Sequence, residues 1–166
     1  PVPVEFQKPP VTCLTALGDH YPDMIFRADI GKRNGLFIVD TGASGEFITE
    51  EECIEGGFMI KPTATPSVKC AGGKTAPIIG EAWVPFRLGP YTTTRRFYVV
   101  KQILKGVIGI LGKRWQADNR VLIDCSAKSI NIRSAGVILH SLNKCRAHDC
   151  QNSYRLNGSH AIRHQD

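Results

Sequence analysis

The sequence predicts an all-β domain with a long glycine-tipped hairpin and one or two short helices. Sixteen glycines and ten prolines fall in a 166-residue chain with few long helix-forming runs. Short apolar or β-branched runs alternate with turn chemistry, as strands and tight connections require. Hydrophobic residues make up 42% and charged residues 22%, a globular balance that supports one core. The expected organisation is a domain over residues 1–142 and a basic, His-rich extension over 143–166, where apolar content drops.

After Pro9 and Pro10, VTCLTAL at 11–17 reads as a strand, and GDHYPD at 18–23 as a turn. MIFRADI at 24–30 is a second strand, and GKRNG at 31–35 a hairpin turn carrying Asn34-Gly35. LFIV at 36–39 is wholly apolar, as an inner strand covered on both faces would be. A brief helix is expected over 47–55, with Thr49 able to cap it and acidic residues crowding its first turn. SVKCAGGKTAPIIGEAWVPFRL at 67–88 reads as a long hairpin whose flexible tip is Ala71, Gly72, Gly73 and Lys74. RRFYVV at 95–100, β-branched and aromatic, is a further strand. GVIGILGKRW at 106–115 is an apolar run ending at glycine, followed by a helix up to Asp118. VLIDC at 121–125 and SINI at 129–132 form a terminal hairpin around Ser126-Ala127-Lys128.

The net charge of +6 favours anionic surroundings, but the basic residues are scattered as Lys32-Arg33, Arg95-Arg96 and Lys113-Arg114. A solvated surface explains them better than a nucleic-acid groove, so nucleic acid is only weakly suggested. Six cysteines show no repeated spacing, and Cys13, Cys53 and Cys125 stand among apolar neighbours as small hydrophobes would. With no N-terminal secretory segment, this favours a reducing, intracellular (cytoplasmic) setting. No apolar run approaches membrane-spanning length, which argues against a transmembrane role. The chain opens PVPVEF without an initiating methionine, as either an expressed fragment or a piece cut from a longer polyprotein would.

Chemistry concentrates in LFIVDTGASGEF at 36–47. An apolar strand runs directly into Asp40, and burying a lone ionised carboxyl costs several kcal/mol unless it is paired or protonated. A working carboxylate is one answer; a plain turn residue is the other, since Asp-Thr-Gly suits a β-turn. The context decides between them. FIVDTGAS at 37–44, the glycine-tipped hairpin at 68–84 and GILGKRW at 109–115 together resemble the retropepsin-like aspartic proteases of retroviruses, retrotransposons and plant pararetroviruses. With the strand layout, the resemblance covers roughly residues 11–132.

The resemblance implies a retropepsin-like acid protease fold, a closed barrel-like β-sheet with a flap hairpin, active as a homodimer and without a cofactor, that hydrolyses peptide bonds of a viral or retroelement polyprotein. Two carboxylates share one proton in such enzymes; one acts as base on a water while the other polarises the carbonyl. This chain has one Asp-Thr-Gly and no internal repeat, so the second Asp40 must come from a second copy across a two-fold axis. Asp40 is then the catalytic group, and Thr41, Gly42, Ala43 and Ser44 support its loop. Thr41 would bond across the axis, and Gly42 would let substrate backbone approach closely. The tip Ala71-Gly72-Gly73-Lys74 would close over a peptide held as an extended strand. Gly109, Ile110, Leu111 and Gly112 would form a second glycine turn behind the active-site loop, with Lys113-Arg114 starting the next helix. Many retroviral enzymes carry an acidic residue at the position of Ser44 and pair it with an arginine after that turn. Here either Glu46 substitutes as the partner for Lys113 and Arg114, or the brace is only a hydrogen bond. Ala43 has no hydroxyl to donate to Asp40, and hydrogen bonds to a carboxylate favour its charged form; a mildly acidic optimum is expected. Ile78, Ile79, Trp83 and Val84 suggest apolar pockets beside the scissile bond. Trp83 and Trp115 read as core or pocket wall, and Asp124 as a strand-end residue.

In the extension, Cys145, Cys150, His160 and His164 come close to a two-cysteine, two-histidine zinc pattern. The gap from Cys150 to His160 is shorter than finger spacing, and Gly158 sits where the helix should run. A solvated linker is the expectation, with no metal site assigned. Two other readings remain open: a catalytically silent dimeric peptide dock of the same fold, and a nucleic-acid-binding protein acting through the basic tail. The second predicts a salt slope that weakens when residues 143–166 are removed.

Overall fold

The computed structural model describes residues 11–13 and 24–142. Eleven strands and two helices follow in chain order: β1 (Thr12–Cys13), β2 (Ile25–Ile30), β3 (Arg33–Val39), β4 (Phe47–Thr49), α1 (Glu50–Gly56), β5 (Ser67–Cys70), β6 (Thr75–Leu88), β7 (Tyr91–Val100), β8 (Val107–Leu111), α2 (Lys113–Asp118), β9 (Val121–Asp124), β10 (Ser129–Ile132) and β11 (Val137–His140). The expected strand residues 14–17, the turn 18–23 and the whole extension 143–166, with its zinc-like pattern, lie outside the described residues.

Six strands close on themselves in the order β6-β2-β3-β8-β4-β7, because β7 pairs back onto β6. The expected closed barrel is therefore present, and β5 and β1 extend from its β6 edge as the flap layer. A period of two decides which side of β6 faces in: Ala82, Val84, Phe86 and Leu88 are buried while Trp83, Pro85 and Arg87 are exposed. The barrel core is aromatic. Phe37 meets Phe86 and Phe97 with ring centroids 5.1 and 5.9 Å apart, and Tyr91 packs edge-on against Trp115 at 5.9 Å. Trp115 is fully buried and spends its indole N–H on the Tyr91 hydroxyl at 3.0 Å, which in turn bonds the Asn119 side chain at 3.0 Å. A three-stranded antiparallel sheet, β11-β10-β9, covers this core with Ile130 and Ile132.

Several boundaries differ from the sequence expectation for local reasons. The first hairpin turns at Gly31-Lys32, with Ile30 opposite Arg33, and Gly31 supplies the positive φ of 61°. Asn34 and Gly35 lie inside β3 instead. Gly35 serves packing there, since a Cβ would come within 2.8 Å of the Ile108 side chain. The helix begins at Glu50, not 47, because Phe47 and Ile48 are drawn into the barrel between β7 and β8. Thr49 caps it as expected, accepting the Glu52 N–H. β7 begins at Tyr91, turning from β6 through Gly89-Pro90. β11 was not anticipated at all. Cys53 is buried, which pushes its thiol up to about 11, but Cys125 is exposed and is no core hydrophobe.

Candidate active site

Asp40 ends a strand because two strands end together. β3 and β8 run parallel, pairing Ile38 with Ile110 and Val39 with Leu111. The next N–H, that of Asp40, donates to the Leu111 carbonyl at 3.0 Å. The apolar run before Asp40 is thus a barrel strand paired on both edges and buried over Phe37–Val39, and the carboxylate stands half-exposed where that strand ends. Its Oδ1 accepts the Gly42 N–H at 2.7 Å, a charge-assisted contact that folds the loop back on itself. Thr41 at the loop's apex is exposed.

The loop is held from beneath by the turn into α2. Lys113 N–H donates to the Ala43 carbonyl at 2.8 Å, and Ala43 is fully buried. Gly112 fits under this loop only because it lacks a side chain: a Cβ would stand 2.6 Å from the Ala43 carbonyl oxygen and collide with that of Gly45. Gln116, one turn into α2, donates its amide to both the Asp40 carbonyl at 3.1 Å and the Leu111 carbonyl at 3.2 Å. It ties the two strand ends together, and the sequence reading missed it. The only signal was a polar residue one turn after Gly112, at the spacing that faces the loop. One expectation is corrected here. Gly109, Ile110 and Leu111 form no turn; they are β8 itself, and only Gly112 lies at the helix start. Gly109 is small because the Phe37 ring lies against it, 2.6 Å from where a Cβ would be.

The expected ionic brace also takes a different form. Glu46 is buried and its direct partners are Arg95 from β7 at 2.8 Å and the Trp115 N–H at 3.4 Å, while Arg114 adds a weaker coulombic attraction. Arg95 reaches on to Asp118 at 2.9 Å, locking the loop to α2. Burial pushes the Glu46 carboxyl up from its usual range, and the Arg95 hydrogen bond opposes this without overcoming it. Arg95 too was missed, because only the barrel brings β7 beside residues 44–46. Of the expected pocket residues, Ile78 and Val84 belong to the core, whereas Ile79 and Trp83 are exposed. Trp83 lines a cavity of about 560 Å³ with Ser44, Glu46, Arg95 and Arg114.

Ala71, Gly72, Gly73 and Lys74 are all exposed at the tip joining β5 to β6. Gly72 and Gly73 both adopt φ of 75°, a conformation that L side chains rarely take. The Cys70 N–H closes the tip on the Lys74 carbonyl at 2.7 Å. Asp124 accepts the Ala127 N–H at 2.8 Å in the β9–β10 turn, as a strand-end residue does. No group of three or more metal-ligating side chains occurs among the described residues, and no helix among them is long and apolar enough to cross a membrane.

The fold resembles that of a solved structure, the retroviral protease-like domain of Ddi1 from Leishmania major. It matches 74% of this chain and 97% of its own at 17% identity, with a TM-score of 0.57. This chain has the retropepsin-like aspartic protease fold. Weaker likenesses include EIAV protease complexed with the inhibitor HBY-793, at 16% identity over 63% of this chain and 93% of that one, TM-score 0.47. A retropepsin-like aspartic protease from Rickettsia conorii matches at 22% identity over 60% of this chain and 75% of that one, TM-score 0.43. No protein-family model matches the sequence, and no curated protein matches it either. The hairpin of β5 and β6 is the segment expected as a flap, and the loop 40–44 the one expected as its floor.

Proposed function

We propose that this chain is an aspartic endopeptidase acting as a homodimer, with one Asp40 from each copy, on an extended segment of a viral or retroelement polyprotein. One observation carries this reading: Asp40 stands half-exposed at the joined ends of β3 and β8, in a loop that is linked through β1 to a glycine-tipped hairpin. Two Asp40 groups brought together cannot both ionise, so they would share one proton. The ionised member takes a proton from a water as its oxygen attacks the peptide carbonyl carbon. The protonated member donates to the carbonyl oxygen. When the tetrahedral intermediate collapses, the C–N bond breaks and the amine leaves with a proton from the dyad. Thr41, exposed at the apex, is available to meet the partner loop.

Hydrolysis of a peptide panel by the chain and by Asp40→Asn tests this reading. General acid–base chemistry contributes about 10²–10⁴-fold, so the variant should lose at least that much turnover. Equal turnover would end the assignment. A pepstatin-type inhibitor should saturate at one molecule per two chains, and the optimum should be mildly acidic.

A further inference from the structure

The flap and the floor are not separated by an open gap. The two-residue strand β1 lies between them. On one side it pairs in parallel with the outer flap strand, Thr12 opposite Lys69 and Cys13 opposite Cys70, and the Lys69 N–H donates to the Val11 carbonyl at 3.0 Å. On the other side it meets the active-site loop antiparallel, with Cys13 opposite Ala43. The Ser44 N–H donates to the Thr12 carbonyl at 2.9 Å, and the Thr12 N–H donates to the Ser44 hydroxyl at 2.9 Å. The strand is therefore hydrogen-bonded on both edges, to the main chain of Lys69 on one and to the main chain and hydroxyl of Ser44 on the other. Its alternate side chains, Val11 and Cys13, pack against the second apolar cluster, which contains Ala43, Val68, Ile78 and Ile110.

This is the geometry by which a groove takes up a peptide as an added strand: main-chain bonds hold it, and pockets receive every second side chain. The antiparallel register sets the direction. Each further residue of a strand running along Ser44 and then Ala43 steps towards Asp40. We infer that residues 11–13 are the chain's own occupant of its peptide channel, and that the channel selects segments with small apolar side chains at alternate positions, as Val11 and Cys13 are in Val11-Thr12-Cys13. The inference rests on the endopeptidase reading for its importance, but its geometry is separate from catalysis. An incoming peptide must displace this strand, so the chain competes with its own substrates. Ser44 gains a role here: its hydroxyl and its N–H both serve the bound strand, which explains a small hydroxyl residue where an acidic brace was looked for.

The test measures binding without turnover. A fluorescent peptide of residues 8–17, KPPVTCLTAL, is titrated by anisotropy against three proteins, all carrying Asp40→Asn: the full chain, a chain beginning at residue 14, and the full chain with Val11→Asp and Cys13→Asp. The last variant expels the strand by placing charges against an apolar cluster, and it decides the matter if the shortened chain does not fold. At least tenfold tighter binding to the two altered proteins than to the full chain is expected. Equal affinity for all three, or no binding to either altered protein with its native circular dichroism intact, overturns the inference. Binding as expected with no hydrolysis by the Asp40 form would remove the endopeptidase reading alone.

Discussion

At the residue scale, the buried acid behind the loop has a measurable signature. Glu46 sits at 4% exposure against Arg95 and the Trp115 N–H, with its carboxyl raised above the ordinary 4.5 by burial. The folded chain holds that proton more tightly than the unfolded chain does. The stability it contributes is complete below about 4.5 and is lost as pH rises through the raised folded value. Urea denaturation at a series of pH values should show this decline, and Glu46→Gln should flatten it while keeping an acceptor for Arg95. A decline as steep in the variant would assign it to other groups. Asp40 was legible from its neighbours alone, since an apolar run ending in Asp-Thr-Gly is a local pattern. Arg95 and Gln116 were not, because their partners stand 49 and 76 positions away in the chain.

Individual elements obey local rules where their ends are free to choose. α1 starts where its cap allows: the Thr49 hydroxyl accepts the Glu52 N–H, and Glu50, Glu51 and Glu52 occupy the first turn, favoured by the helix dipole. Removing the cap by Thr49→Ala should cost about 1 kcal/mol in chemical denaturation; no measurable loss would mean that packing of Cys53 alone holds the helix. The same local logic gave the flap tip, where Gly72 and Gly73 take a left-handed conformation. It failed for β4. Phe47 and Ile48 carry a pattern that fits a helix start equally well, and only pairing with β7 and β8 draws them into the sheet. It failed again for β11, whose residues gain their partner from β10 and whose end is fastened by Ser141 to Ile25, 116 positions away.

For the whole molecule, one aromatic core carries barrel, helix and C-terminal sheet together. Phe97 is fully buried between Phe37 and Phe86, with centroids at 5.9 and 5.7 Å. Phe97→Ala should destabilise the fold by about 3–5 kcal/mol, read as a shift in denaturation midpoint with a single transition. Two separated transitions would show that the C-terminal sheet folds apart from the barrel. If activity requires two Asp40 groups, specific activity should fall on dilution as dimers part, and sedimentation should show the same concentration dependence. Constant specific activity from a monomer would sink the homodimer proposal.

Composition and local patterning determined the all-β class, the position of the carboxylate, the glycine flap tip and the capped start of α1. Each of these depends on residues within a few positions of one another, where side-chain period, backbone freedom and hydrogen-bonding chemistry act directly. The tertiary structure alone decided that β7 closes the barrel onto β6, that Arg95 and not Lys113 or Arg114 pairs directly with Glu46, and that β1 lies between flap and floor. Those outcomes are choices among distant partners, and a distant partner is selected by the packing of the whole sheet, which no short stretch of sequence contains.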